Sequence, residues 1–176
     1  MSQNEVSFSD LLEAARGKAV HLEMRDVYGV GDEAEDFERW QRTGQRDTDP
    51  ASAYWAPWVE QIGRTVARGV VVRRARIVSE PVSGYIRYEH AGTSANLQAG
   101  ELVRWLPRRL ASDIALPGND FWLFDSTAVL FNHFTGNGDW AAPGWELRTE
   151  PAVVELASAA FEAVWDRGIP HEKFTI

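Results

Sequence analysis

Two pairs of carboxylates are the residues whose chemical type best suits catalysis. Glu80 and Glu89 lie near the two ends of a segment with helical spacing, and Asp120 and Asp125 bracket a run of four aromatic or aliphatic residues. Two carboxylates that face one cavity can serve as a general acid and a general base. For Asp120 and Asp125 we favour a structural interpretation, in which each aspartate caps a turn at one end of a strand.

The sequence lacks the motifs of a self-sufficient active site. Its four histidines are His21, His90, His133 and His171. No two of them have the spacing of four residues that a helical metal site uses. Without cysteine, a thiolate zinc site and a cysteine nucleophile are excluded. Ser79 lacks a G-x-S-x-G context, and we expect Ser79 or Ser83 to cap a helix. We therefore expect no catalytic residue, no metal and no cofactor.

The elements that must position these residues follow from periodicity and turn residues. The pattern predicts helices over 7–16, 33–42, 58–68, 82–90 and 151–166, extended segments over 19–28, 70–79, 101–106 and 145–147, and a hairpin over 121–134. Helices interleaved with strands indicate one α+β domain with a mixed sheet of five to six strands. In this interpretation residues 1–68 form a helical part that packs on the sheet, and residues 69–176 form the α/β core.

Net charge restricts the choice of partner. The formal charge of −8 argues against direct nucleic-acid binding, because phosphate binding needs a positively charged surface. The arginines are nevertheless clustered, as Arg64, Arg68, Arg73, Arg74 and Arg76, and then as Arg104, Arg108 and Arg109. A local basic surface could still bind an acidic protein or an anionic ligand.

Hydropathy favours a cytoplasmic location with no membrane association. No stretch reaches the roughly 18 uncharged apolar residues that a spanning helix needs. Residues 1–16 lack the basic start and apolar core of a signal peptide. The absence of cysteine also suits a reducing compartment.

Tryptophan is unusually frequent, with eight residues in the chain. Trp122 lies in the predicted hairpin, where it suits a buried position in the hydrophobic core. The tryptophans near predicted element ends are Trp55, Trp58, Trp105, Trp140 and Trp145. They could anchor loops, or they could form a recognition surface beside Arg104 and Arg108.

Several long strings of this sequence resemble one known family. They are RARIVSEPVSGYIRYEH at 74–90, NLQAGELVRWLPRR at 96–109, LPGNDFWLFD at 116–125, HLEMRDVY at 21–28 and FNHFTGNG at 131–138. Together they resemble an uncharacterised actinobacterial family, the domain of unknown function 6879. The resemblance implies a small cytoplasmic protein of Streptomyces-type bacteria, encoded near antitoxin-like helix-turn-helix regulators and small acidic proteins.

The order of elements after residue 70 also resembles half of a phospholipase D-type domain. That superfamily places an H-K-x4-D motif just before the hairpin. Residues 118–125 of this chain contain neither histidine nor lysine. The resemblance therefore implies a catalytically degenerate domain.

Three functions follow as hypotheses. We expect a non-enzymatic regulatory protein that docks on a helix-turn-helix regulator or a small acidic protein, and a homodimer is compatible with its exposed aromatic residues. The expected docking residues are Arg74, Arg76, Arg87, Arg104, Trp105, Arg108 and Trp122. The first alternative is a sensor whose arginines, with Glu80, Glu89, Asn96 and Asp120, hold an anionic or planar ligand. The second alternative is a hydrolase or nuclease-like toxin with an unrecognised site.

Overall fold

One mixed sheet of seven strands, flanked by five α-helices, organises residues 6–29 and 31–176, which a computed structural model describes. The helices are α1 (Phe8–Ala14), α2 (Gly31–Thr43), α3 (Ala56–Ala67), α4 (Gly84–Gln98) and α5 (Pro151–Arg167). The strands are β1 (Lys18–Glu23), β2 (Val71–Val78), β3 (Leu102–Pro107), β4 (Phe121–Phe124), β5 (Ala128–Phe134), β6 (Trp140–Arg148) and β7 (Ile169–Pro170). The predicted α+β class is confirmed, with seven strands in place of five to six.

The strand order is β6-β5-β4-β1-β2-β3-β7. β1 pairs in parallel with β2 and antiparallel with β4, and β2 pairs in parallel with β3. β1 is thus the middle strand. Residues 1–68, which we predicted to pack on the sheet as a helical part, supply its central element.

Local sequence signals explain where several elements begin and turn. Ser7 caps α1 and forms a reciprocal capping box with Asp10. The β4–β5 hairpin turns at Asp125 and Ser126, whose φ angles are 49° and 54°. Aspartate tolerates this left-handed conformation better than most residues. The Asp125 carboxylate also accepts hydrogen bonds from the backbone N–H groups of residues 16–18.

Helix α4 differs from its prediction at both ends. The helix begins at Gly84 because the Ser83 hydroxyl accepts a hydrogen bond from the Ile86 backbone N–H. It continues through Gly92, a poor helix former, as far as Gln98. A side chain at Gly92 would lie only 2.9 Å from the Arg46 guanidinium, so close packing requires glycine there.

The two faces of the sheet differ in chemistry. On one face, α5 packs Phe161 and Val164 against the apolar residues Val20, Leu22 and Ile77 of the central strands. The opposite face carries two separate apolar clusters. One cluster involves α1 and α3, and the other involves α2 and α4. Polar side chains of β1 and β2 occupy the strip between the two clusters.

Candidate ligand-binding cavity

A cavity of about 540 Å³ lies over this polar strip. Strands β1, β2, β4, β5 and β6 form its floor, and α2, α3, α4 and the segment before α3 contribute to its walls. Its aromatic lining consists of Phe8, Tyr28, Tyr54, Trp55, Trp58, Tyr85, Trp122, Phe134, Trp140 and Trp145. A volume of this size is in the range of small-molecule sites.

Strand register sets the floor of the cavity. His21 lies opposite Arg74, and Glu23 lies opposite Arg76, on the parallel strands β1 and β2. Arg74 Nη1 donates to Glu23 Oε1 at 2.6 Å, and Arg76 Nε donates to the other oxygen of the same carboxylate. Burial raises the pKa of Glu23, but Arg76 and Arg74 outweigh it and hold that pKa well below its ordinary value.

Helix α4 and its C-terminal turn complete this ion-pair network. Arg74 Nε donates to Glu101 Oε1 at 2.7 Å, and Asn96 Nδ2 donates to Glu101 Oε2 at 2.8 Å. Arg76 donates to Thr93 Oγ1 at 3.1 Å and forms an ion pair with Glu89. Both guanidinium groups are therefore already paired with carboxylates of the protein.

Asp120 faces the cavity at one end of β4. It accepts hydrogen bonds from the Tyr28 hydroxyl and from the Met24 backbone N–H, the latter at 2.9 Å. Burial raises the pKa of Asp120 to about 6, although the hydrogen bond from Tyr28 acts in the opposite direction. A carboxyl group with this pKa changes its protonation state close to neutral pH.

Tyr85 connects two further carboxyl groups at the same end. Its hydroxyl donates to Glu33 Oε2 at 2.5 Å and lies 3.2 Å from Glu89 Oε1. One hydroxyl proton serves the shorter contact, to Glu33, so the Glu89 carboxylate gains little from this hydroxyl. Burial raises the pKa of Glu89 to about 7, against the opposing effect of Arg76.

The opposite end of the cavity is formed by stacked rings. Trp122 contacts Phe8, with ring centroids 5.0 Å apart, and Trp58, with centroids 6.1 Å apart. His21 stacks on Trp122. Among the described residues, neither His21 Nδ1 nor Trp58 Nε1 has a hydrogen-bond partner, although both atoms are buried. Buried polar atoms without partners are uncommon in native proteins and suggest a group outside the described residues that satisfies them.

His21 is neutral despite a carboxylate nearby. Its Nδ1 is 3.6 Å from Glu23 Oε1, which is too long for a hydrogen bond. Burial lowers the pKa of His21 to about 3, and this outweighs the attraction of Glu23. The contact is therefore not an ion pair at neutral pH.

The family of the chain is given by a match that covers nearly all of it. The model of the family described as Domain of unknown function (DUF6879) matches residues 6–176. The chain belongs to the DUF6879 family. Among curated proteins, none matches this DUF6879 chain.

One solved structure with a similar arrangement is that of TrmBL2, described as an archaeal chromatin protein with a novel mode of DNA binding. It is 13% identical to the DUF6879 chain, with a TM-score of 0.44. The match covers 91% of this chain and 47% of the TrmBL2 chain, so this chain spans less than half of that protein's length.

Our exclusion of direct nucleic-acid binding is contradicted by this match and was wrong. It rested on the net charge of the whole DUF6879 chain, which does not determine the charge of a local surface. A TM-score of 0.44 does not transfer the DNA binding of TrmBL2 to this chain. Nucleic acid therefore stays among the partners to be tested.

The structure brings together only part of the predicted site. The predicted residues that line the cavity of this DUF6879 chain are Arg74, Arg76, Glu89, Asn96, Asp120 and Trp122. The predicted pairs of carboxylates are separated. Glu80 bonds Arg109 on the surface at 3.0 Å, while Asp125 binds backbone N–H groups in the hairpin turn.

The other predicted docking residues do not form one exposed surface. Trp105 has no exposed area, stacks on Phe174 and belongs to the core. Arg104 lies over the Trp165 ring on the α5 face and donates to a carbonyl of α5. Arg108 donates to Ser79 and to backbone carbonyls, whereas Arg87 is exposed on α4. The prediction of Trp105 as an exposed anchor is therefore wrong.

Several cavity residues were not predicted from sequence. His21 and Glu23 alternate with apolar residues on β1, a pattern that also suits a solvent-facing strand edge. Tyr28, Glu33 and Tyr85 come from a loop and two helices, so no spacing along the chain relates them. The available signal was the three arginines Arg73, Arg74 and Arg76 within an otherwise apolar central strand, because buried arginines need carboxylate partners.

Within residues 6–29 and 31–176, no group of three or more histidine, aspartate or glutamate side chains is arranged to hold a metal ion. None of the helices in these ranges is both long and apolar enough to cross a bilayer.

Proposed function

We propose that this chain is a small-molecule-binding domain whose cavity holds a planar organic ligand. The observation that carries the proposal is the combination of aromatic walls with a floor of paired charges in a cavity of about 540 Å³. Ligand sites in proteins are typically concave and largely apolar, with a few polar groups that fix orientation.

The aromatic lining favours a planar ligand. Trp58 and Trp122 present rings at one end, and Phe134 and Trp140 stack at the other with centroids 4.7 Å apart. Aromatic faces gain stabilisation from offset-stacked and edge-on contacts with a second ring. The ring nitrogens of His21 and Trp58, which have no hydrogen-bond partner among the described residues, belong to side chains that line the same cavity.

The anionic ligand that we considered from sequence is disfavoured by the pairing of the arginines. Arg76 uses all three guanidinium nitrogens for Glu23, Thr93 and Glu89. Arg74 is shared between Glu23 and Glu101. An anion would have to displace these carboxylates, so a neutral or positively charged ligand suits the floor better.

Other hypotheses from the sequence stay predictions. Docking on a helix-turn-helix regulator would require a surface other than the one we named, since Trp105, Arg74 and Arg76 are buried. The actinobacterial origin and the resemblance to a phospholipase D-like half-domain are likewise predictions on which this proposal does not depend. A ligand-binding role is compatible with a regulatory protein, because bound ligand shifts conformational populations.

An enzymatic function is a second candidate, favoured by two carboxyl groups. Glu89 and Asp120 line the same cavity, and burial raises the pKa of Glu89 to about 7 and that of Asp120 to about 6. Groups that titrate near neutral pH are suited to general acid–base catalysis. Conversion of a bound ligand into a product, abolished by Asp120→Asn, would favour this candidate.

Thermal unfolding with a library of planar one-, two- and three-ring compounds tests the proposal. We expect some compounds to raise the melting temperature in a concentration-dependent way and to quench tryptophan fluorescence. Trp140→Ala should weaken binding at least fivefold with little loss of stability, because this side chain is 52% exposed. Leu110→Ala, which removes an exposed side chain outside the cavity, is the control. No response to any planar compound at millimolar concentration would refute the proposal.

A further inference from the structure

The two ends of the cavity differ in charge. One end contains Tyr28, Tyr85, Phe134 and Trp140 together with Asp120, Glu33 and Glu89, and we refer to it as the tyrosine end. We propose that the tyrosine end binds a positively charged nitrogen of the ligand. This inference rests on the proposed function and specifies the chemical class of the ligand.

The rings of the tyrosine end form a continuous cluster. Tyr28 lies 5.2 Å from Phe134 and 5.8 Å from Tyr85, measured between ring centroids, and Phe134 stacks on Trp140. Aromatic faces carry partial negative charge and attract cations. Clusters of this kind recognise ammonium groups, including those that are fully alkylated and cannot donate hydrogen bonds.

Carboxyl groups accept hydrogen bonds from the tyrosine hydroxyls of this end. The Tyr28 hydroxyl donates to Asp120, and the Tyr85 hydroxyl donates to Glu33 at 2.5 Å. Glu33 also accepts a hydrogen bond from the Tyr54 hydroxyl at 3.1 Å. A tyrosine that donates to a carboxylate gains electron density on its ring, so these contacts strengthen the attraction for a cation.

The described arginines near this end are already engaged by groups of the protein, and among them Arg46 lies over the Tyr54 ring and pairs with Asp36. Arg76 reaches Glu89, but it also serves Glu23. Arg25 lies over the Phe134 ring, with its guanidinium carbon 5.7 Å from the centroid, and donates to three backbone carbonyls outside the cavity lining. Burial raises the pKa values of Asp120 and Glu89, and neither Arg25 beside Asp120 nor Arg76 beside Glu89 offsets this effect.

A matched ligand series tests the charge requirement. Ring systems of one, two and three fused rings would each carry an ethylammonium, a neutral acetamide or an acetate group. Affinities would be measured by calorimetry at pH 8. We expect each ammonium compound to bind at least tenfold more tightly than the amide with the same ring, and each acetate to bind most weakly.

Two variants on helix α2 test whether the preference for ammonium ligands depends on the charge of Glu33. Glu33→Gln removes the charge, keeps one acceptor oxygen for a tyrosine hydroxyl and presents an amide N–H to the other hydroxyl, which can accept from it. We expect the variant to weaken ammonium binding at least fivefold without affecting the amides. Glu38→Gln removes a charge from an exposed position on the same helix and should change neither affinity.

The pH dependence of ligand binding tests the inference independently of the variants. The groups around Glu89 are Arg76 and Arg74 on β2, Glu23 on β1, Glu33 on α2 and Tyr85 on its own helix. Because a bound ammonium favours ionised Glu89 and Asp120, the preference for ammonium over amide should fall when the pH is lowered from 8 to 5.5. Ethylammonium groups stay protonated throughout this range.

The outcomes separate this inference from the proposed function. If amides or acetates bind as tightly as ammonium compounds, or if Glu33→Gln and Glu38→Gln behave alike, the cation site is refuted while the planar-ligand proposal stands. If no compound of any charge or ring size binds, both proposals fail.

Discussion

The imidazole of His21 lies flat on the indole of Trp122, with ring centroids 4.3 Å apart and planes inclined by 15°. The two residues are direct partners across the antiparallel pairing of β1 and β4. Arg74, the partner of His21 on the other side, places its guanidinium carbon 5.8 Å from the Trp122 ring centroid. Burial in this layer keeps the histidine neutral beside a carboxylate and two arginines, since protonation would add a third cation.

The neutrality of His21 should appear in the pH dependence of stability. Its pKa falls from 6.5 to about 3 on folding, so the unfolded chain binds a proton that the folded chain does not. Stability is therefore lost as the pH falls below about 6.5, by up to about 1.4 kcal/mol per pH unit from this group. We expect His21→Phe, which retains the stacking, to lose less stability than the wild type between pH 7 and pH 5. Urea unfolding at both pH values measures the difference, and equal losses would contradict the assignment.

Glu89 should show the opposite dependence. Its pKa rises from 4.5 to about 7 on folding, so its contribution to stability is complete below pH 4.5 and is lost as the pH rises through 7. Glu89→Gln imitates the protonated form. The free energy of unfolding of the variant should therefore increase relative to that of the wild type as the pH rises from 5 to 8, by at most roughly 3 kcal/mol. Glu38→Gln serves as the control and should show no such change. A pH-independent difference for Glu89→Gln would show that this carboxyl group titrates normally.

Trp105→Ala should destabilise the fold itself. The side chain has no exposed area, and its indole Nε1 donates to His171 Nδ1 at 3.1 Å. Removal of a buried tryptophan leaves a cavity and costs about 3–5 kcal/mol. Chemical denaturation measures this loss, with Leu102→Ala on the same strand as control, because Leu102 is 52% exposed. If the variant were as stable as the wild type, the result would contradict a core role for Trp105 and favour the docking role that the sequence suggested.

Asp125 should be important for stability but not for ligand binding. Asp125→Ala removes the acceptor of three backbone N–H groups and places alanine at a φ of 49°. We expect a loss of about 2–3 kcal/mol. Asp125→Asn keeps one acceptor oxygen and tolerates the left-handed conformation, so it should lose about half as much. Both variants should bind planar ligands as the wild type does, and a selective loss of binding would contradict the assignment of Asp125 as a turn residue.

Elements with strong local signals could be predicted from the sequence. The run Val70 to Val72 predicted a strand, and Asp125 with Ser126 marked the hairpin turn. A helix cap was expected at Ser79 or Ser83, and Ser83 is the residue that caps α4. Each of these depends on residues close together in the chain. The extension of α4 through Gly92 was missed because it depends on the approach of Arg46, which tertiary packing decides.

The candidate site was harder to predict because it depends on strand order. Glu23 and Arg76 become partners only when β1 and β2 pair in parallel, and Asp120 meets Tyr28 only when β4 lies beside β1. Alternation along β1 shows that His21 and Glu23 share a face, but it does not show that helices cover that face. The sequence suggested a strand core for Trp122 and an element end for Trp105, whereas packing buries Trp105 in the core and makes Trp122 part of the cavity lining.

The central position of β1 has a consequence for how the protein is made. β1 is synthesised early, yet Gly17 beside it bonds Asp125, which follows 108 residues later. Pairing over such separations is slow because the intervening chain must first lose entropy. Phe8 and Trp145, which line the same cavity, are also far apart in the chain. The cavity therefore forms only after most of the polypeptide has left the ribosome, and a ligand that binds there selects completed chains rather than guiding their folding.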